Sequence, residues 1–295
     1  MISRIALLFG LLASVAAAKL DSDRLEQLSG LKGAWNSGQS VFKVTAPRND
    51  LSIAVDGWKM PPFMGLTSWA AFTTGKAEEA MVMGDLVLLE DEVNPVMSAL
   101  LGARLEVTAL HNHFFYDEPR VYFMHLAGEG TADALATSVG LAFAKQREIR
   151  AAHPSPRHGF GDIIPSPSRI SAAPLEAVLA AKAQAMDGMV KFVFGREATM
   201  ECGCKVGADM GVNTWAAFAG TDENAVVDGD FAVREIELQP VLKSLRDQAI
   251  NIVAIHHHMT GEEPRILFLH YWGRGPAGDL ARSLQQTLVV QQGVK

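Results

Sequence analysis

Hydrophobic and polar positions alternate in short runs along this chain, and the runs occur twice in the same order. Apolar residues at helical spacing predict an amphipathic helix over residues 22–34. Strands are predicted at 42–45, 51–55, 67–72 and 80–89, where apolar alternation is broken by Gly and Pro. Asn94-Pro95 predicts the start of a helix that runs to about Gly102, with Asn94 as N-cap and Pro95 in the first helical position. Two further strands, 105–114 and 120–126, are joined by the turn Asp117-Glu118-Pro119-Arg120, and a helix over 131–144 closes the set. A second pass opens with an amphipathic helix over 174–186. There Gln239-Pro240 stands where Asn94-Pro95 stood, with Gln the poorer cap.

The residues themselves repeat with the pattern. Gly65-Leu66-Thr67-Ser68-Trp69-Ala70-Ala71-Phe72 returns as Gly211-Val212-Asn213-Thr214-Trp215-Ala216-Ala217-Phe218, Gly84-Asp85 returns as Gly229-Asp230, and Glu92-Val93-Asn94-Pro95-Val96 returns as Glu237-Leu238-Gln239-Pro240-Val241. The offset is 146 residues at the first block and 145 afterwards. A period this long indicates two fused copies of a domain rather than a solenoid. The expected organisation is a signal peptide at 1–18, a first repeat at 19–145, a Pro-rich linker at 146–173 and a second repeat at 174–295. Strand runs with interspersed helices and short hairpin links predict an α+β fold, a mixed or antiparallel sheet with helices in two pseudo-symmetric halves.

The densest shared motif carries histidine. His111-x-His113, then Glu118-Pro119-Arg120, then His125 is matched by His256-x-His258, Glu263-Pro264-Arg265 and His270 at identical spacing. Alternate residues of a strand share a face, so His111 and His113 point the same way. In an antiparallel hairpin the register is expected to set His125 opposite His113 or His111, with all three imidazoles on one side. The same holds for His256, His258 and His270. Three convergent imidazoles suit a divalent transition metal, zinc first, with copper or iron as alternatives. Against this stands the plainer possibility that the histidines hydrogen-bond within a half-buried sheet or pack between the halves.

Other residues take roles around that centre. Glu118 or Glu263 could complete the ligand set or act as general base on metal-bound water. Arg120 or Arg265 could orient an anionic group of a small-molecule ligand, or simply brace the turn against Glu92 or Asp117. His257 is expected at the surface, and Trp69, Phe72, Trp215 and Phe218 are expected in the core. Cys202 and Cys204 would sit ~6.6–6.8 Å apart at Cα in a strand, at the limit of disulfide reach, so two buried small residues are expected there. No nucleophile elbow, phosphate-binding glycine loop or His-Glu-x-x-His motif occurs in the sequence.

Composition narrows the partners. The 295 residues are 48% hydrophobic and 20% charged, with a net charge of −7. A basic face for nucleic acid is not to be expected. Arg4, the apolar run 5–17 and Ala16-Ala17-Ala18 read as a secretory signal, which makes the mature chain secreted or periplasmic, with no membrane span of its own.

The run Glu92-Val93-Asn94-Pro95-Val96-Met97-Ser98-Ala99-Leu100, with Val107-Thr108-Ala109-Leu110-His111-Asn112-His113 and Asp117-Glu118-Pro119-Arg120, resembles the LppY/LpqO family. That family is named after mycobacterial lipoproteins and carries a domain of unknown function. The resemblance covers nearly the whole mature chain, with the second half a drifted copy, although no lipidation Cys follows the signal. It implies export or an envelope location and supplies no reaction. The expected function is metal binding through duplicated hairpins, with metal-dependent hydrolysis as the default chemistry. Two alternatives remain open: a non-enzymatic ligand-binding or metal-handling protein, or histidines that are purely structural.

Overall fold

In the computed structural model, which describes residues 20–157, 159–161 and 163–294, the two repeats share one sheet. The first half supplies β1 (Gly33–Asn36), β2 (Val41–Pro47), β3 (Thr67–Thr74), β4 (Ala80–Leu89), β5 (Glu106–His111) and β6 (Val121–Gly130). The second supplies β7 (Gln184–Met186), β8 (Met189–Gly195), β9 (Asn213–Gly220), β10 (Ala225–Arg234), β11 (Asn251–His256) and β12 (Ile266–Gly275). They join antiparallel in the order β1-β2-β3-β4-β6-β5-β11-β12-β10-β9-β8-β7. The order is a palindrome about the β5–β11 seam, so the α+β class and the two pseudo-symmetric halves are as expected. The signal-peptide expectation falls outside the described residues.

Strand alternation decides the layering. Ala70, Phe72, Val82, Leu86, Met124 and Leu126 are buried on one face, under α1 (Ser22–Ser29), α2 (Glu90–Gly102) and α3 (Ala132–Ala152). The second half repeats this under α4 (Ala172–Leu179), α5 (Leu238–Asp247) and α6 (Ala277–Gly293), and one continuous apolar core runs beneath both halves. The opposite face is covered only at its two ends. There Ile53, Met60 and Leu66 pack on Val87, Val121 and Phe123, and Val206 and Val212 pack on Ala232, Ile266 and Phe268. The middle of that face, on the central strands, carries His111, His125, His256 and His270 with Ala109 and Ala254 between them.

Several local expectations are corrected. Helix α1 stops at Ser29 because Gly30 takes the left-handed conformation (φ 69°) and caps it, and residues 33–36 become an edge strand. Residues 184–186 likewise leave the predicted helix 174–186 for β7. The predicted strand 51–55 shrinks to Ala54–Val55, and α3 runs on to Ala152, into the segment expected as linker. Trp69 and Trp215 are half-buried rather than core, each lying under a lysine (Lys43 Nζ 4.2 Å and Lys191 Nζ 4.3 Å from the ring centres). Cys202 and Cys204 are exposed turn residues joined to each other by a disulfide, their Cα atoms 5.4 Å apart because the backbone turns between them.

The most informative correction concerns α2. Its first turn is Glu90-Asp91-Glu92, acidic residues that complement the helix N-terminus, and the Glu92 carboxylate accepts from the Leu89 amide at 2.9 Å. Glu92 is itself held between Arg48 and Arg150, as Glu237 is held by Arg196 and Arg234 in the second half. The helix therefore starts a turn before Asn94, which is freed from capping. The buried Asn94 amide instead crosses the seam: Nδ2 donates to the Ile252 carbonyl at 3.1 Å, and Oδ1 accepts from the Ile252 amide at 2.8 Å. Gln239 does the same to Val107, at 3.0 Å for both bonds. Each half thus satisfies main-chain groups of the other half's seam strand, next to a bulge in each strand where the seam strands pair only at Leu110 and Ile255.

Candidate metal centre

Four of the motif histidines, His111, His125, His256 and His270, stand on the open face of the four central strands, and His113 and His258 follow two of them. Their register differs from expectation: His111 is opposite Phe123, and His125 is opposite Ala109, because the loop 112–120 is longer than a tight hairpin. Likewise His256 opposes Phe268 and His270 opposes Ala254. Since the offset stays even, each triad still shares one face. His113 and His258 lie just beyond their strands, stacked on Phe123 and Phe268 with ring centres 3.3 and 3.5 Å apart.

The next strand contributes a residue that the hairpin view missed. Asp230 on β10 is directly opposite His270, and Asp85 on β4 is directly opposite His125. In the second half the imidazoles converge on the buried Asp230 carboxylate. His258 Nε2 lies 3.4 Å, His256 Nε2 3.9 Å and His270 Nε2 4.0 Å from Asp230 Oδ2. One ligand atom from each of Asp230, His256 and His258 fits within 4.8 Å of the others, a group that could hold a metal ion. The signal in the sequence was the repeated Gly-Asp pair. A side chain on Gly229 would overlap the Tyr271 phenol and the Trp215 carbonyl.

Second contacts fix which nitrogen faces the centre. His258 Nδ1 lies 3.1 Å from the Gly211 carbonyl, and His270 Nδ1 lies 3.3 Å from the Gly229 carbonyl. A carbonyl only accepts, so Nδ1 is the donor in both rings, which turns each Nε2 toward Asp230. Among the described residues Asp230 Oδ1 and His256 Nδ1 are buried without hydrogen-bond partners. Burial pushes the Asp230 carboxyl above the usual carboxylate range, against the opposing pull of His270 and His258. Burial and the neighbouring His270 and His258 push His256 down to about 4. Three imidazole Nε2 atoms gathered within 4.0 Å of one buried carboxylate oxygen are an arrangement that a cation would reconcile. The ligand spacing also suits one, since a tetrahedral zinc with bonds of ~2.0–2.1 Å spaces its ligands by about 3.3 Å.

The first half spaces its rings much as the second does, with His111 5.1 Å from both His113 and His125 against 5.1 and 4.8 Å from His256 to His258 and His270. Among the described residues, however, no imidazole forms an ion-pair contact with Asp85, whose Oδ1 is buried without a partner. Burial raises the Asp85 carboxyl and lowers His113.

The expected acid–base and anion-binding residues lie outside both clusters. Glu118 belongs to the two-residue strand Asp117–Glu118, paired with Ala54–Val55, and is exposed. Glu263 is exposed, with its main chain paired to Thr199. Arg120 is exposed and lies 3.9 Å from Glu90, not Glu92 or Asp117. Arg265 is exposed. None of the four makes a hydrogen bond or ion pair with a motif histidine among the described residues. The turn is braced instead by Asp117, which accepts from the Val121 amide at 2.7 Å, and by Glu262, which accepts from Ile266 at 3.0 Å.

Comparison with known proteins adds a family and little else. The sequence matches the family described as Domain of Unknown Function (DUF1259) over residues 23–145 and again over 173–290. No curated protein matches. Among solved structures, a trimeric bacterial microcompartment shell protein, PduB, aligns at 10% identity and a TM-score of 0.22, covering 88% of this chain and 93% of that one. A likeness at that score carries no argument.

Proposed function

The chain belongs to the DUF1259 family, a domain of unknown function present here in two copies, and from that premise we propose that it binds a divalent transition metal through Asp230, His256, His258 and His270. One observation carries the proposal: two imidazoles whose Nδ1 atoms are tied to carbonyls turn their Nε2 atoms to a buried carboxylate 3.4 and 4.0 Å away. A divalent cation would satisfy the buried carboxylate and the imidazole nitrogens gathered around it at once. Zinc is the first candidate on ligand type and spacing. Iron is the second, because Asp230 with His256 and His258 makes a two-His-one-carboxylate set.

Metal handling is favoured over hydrolysis by the same ligands. Four donors close a tetrahedron, whereas a hydrolytic zinc keeps a position for water. A hydrolase would need that position, and the metal's part would be to activate a water molecule bound there. Among the described residues neither Glu118 nor Glu263 stands in contact with the histidines to take the proton. The reading in which the histidines pack between the halves is not favoured, since they lie on an open face with His256, His258 and His270 side chains 31%, 36% and 41% exposed. We extend the proposal to an exported protein related to the LppY/LpqO family, on the strength of the N-terminal signal and the quoted motifs.

The test is calorimetric titration of metal-free protein with Zn(II), and with Co(II) read by visible absorption. Wild type should bind with a tetrahedral cobalt spectrum, and Asp230→Asn and His258→Ala should each weaken binding by about 100-fold or more. Unchanged affinity in both variants would remove these residues from the site.

A further inference from the structure

The register across the seam places the two histidine clusters side by side. Leu110 faces Ile255 in an antiparallel pairing, so Ala109 is level with His256, and His111 is level with Ala254. Adding the flanking registers gives two rows on the open face. One runs Trp69, Asp85, His125, Ala109, His256; the other runs Trp215, Asp230, His270, Ala254, His111. Each row begins in one half and ends on the first motif histidine of the other. The clusters therefore interlock across the pseudo-two-fold axis instead of sitting in separate domains.

We propose that Asp85, His111, His113 and His125 form a second divalent-cation site, and that the two sites make one composite centre astride the seam with its ions about 12 Å apart. This presupposes the second-half site proposed above and extends it. The donor set is the same, residue for residue. The buried, partnerless Asp85 Oδ1 repeats the partnerless Asp230 Oδ1, which a coincidental cluster of surface histidines would not. The distance follows from the sheet. The centroids of the two donor sets lie two and a half strand spacings apart and half a same-face step along the strands, which is about 12 Å for spacings of ~4.8 and ~6.8 Å. Ions at that separation cannot share one bridging water, which requires ~3.5–4 Å. The composite thus excludes two-metal hydrolysis and suits a ligand with two separated anionic groups.

The sites should fill in order. His258 and His270 are fixed by the Gly211 and Gly229 carbonyls, whereas among the described residues no such bond orients the Nδ1 atoms of His111, His113 or His125. The first-half rings must give up more freedom on binding, so that site is the weaker.

The experiment is titration of the full chain with Cu(II), followed by electron paramagnetic resonance. The first equivalent should give an isolated nitrogen-ligated spectrum, and the second should broaden it by dipolar coupling between spins about 10–15 Å apart. His113→Ala, at the exposed end of the first cluster, should abolish the second equivalent and the broadening while leaving the first. His111→Ala should repeat the result, and circular dichroism checks that both variants fold. A single equivalent in wild type, or two equivalents without coupling, would overturn the composite while sparing the second-half site. No nitrogen-ligated copper at all would sink both.

Discussion

Replacing Asn94 with alanine probes the seam on which the candidate centre depends. Asn94 is 8% exposed, and its amide makes two bonds to one residue of the other half, at 3.1 Å to the Ile252 carbonyl and 2.8 Å from the Ile252 amide. Alanine removes both and leaves two main-chain groups without partners, at about 1–3 kcal/mol each. Alanine's better helix propensity returns at most about 0.7 kcal/mol. The net cost should be about 1–5 kcal/mol. Gln239→Ala, at the half-buried counterpart, should cost less because water can reach the freed groups. Urea unfolding followed by circular dichroism measures both, through a lower midpoint at unchanged slope. The double variant should show coupling, since both amides hold the same seam. An Asn94→Ala loss below about 0.5 kcal/mol would refute the claim that the clamp holds the halves in register.

Further predictions concern the centre itself. Burial raises the Asp230 carboxyl above its unfolded value, so its charge costs stability at neutral pH; Asp230→Asn should raise the unfolding midpoint of metal-free protein while abolishing metal binding, and a variant that loses both would argue for a structural carboxylate. His256 is held down to about 4 in the fold against about 6.5 unfolded. Its contribution is therefore complete above about pH 6.5 and is lost as pH falls towards 4. The ceiling near 3 kcal/mol shrinks to about 1–2 for a ring that is 31% exposed, and stability measured against pH in chelator should flatten in His256→Gln. Gly229→Ala should cost about 2 kcal/mol or more, because the new methyl must displace the Tyr271 phenol or the Trp215 main chain, a loss that thermal unfolding would report. Cys202→Ser with Cys204→Ser, in an exposed turn that supplies none of the donors, should leave metal stoichiometry unchanged.

What the sequence disclosed follows from the range of the interactions. Strand alternation is local, so 80–89 was predicted with the bounds it has, and the duplicated motifs announced two halves. Helix starts were less legible. Asn94-Pro95 is a sound local signal for an N-cap, but Glu92 capped the helix first and a backbone 158 residues away recruited the Asn94 amide. The triads' shared face was legible from H-x-H, whereas their register was not. The segment 112–120 is drawn into a small outer sheet with residues 54–55 and 58–59, whose length no hairpin rule supplies. Asp85 and Asp230 escaped notice because they arrive from the neighbouring strand, about 40 residues earlier in the chain. Only the recurrence of Gly-Asp in both halves pointed to them.

The central claim is that Asp230 and its three histidines hold a metal. Elemental mass spectrometry of untagged protein, purified without chelator, tests it most directly, beside a folded Asp230→Asn/His256→Ala/His258→Ala variant. Near-stoichiometric zinc or iron is expected in wild type, and its loss from the variant. Wild type that is metal-free as purified and takes up neither zinc nor iron, nor cobalt or copper, on titration would contradict it.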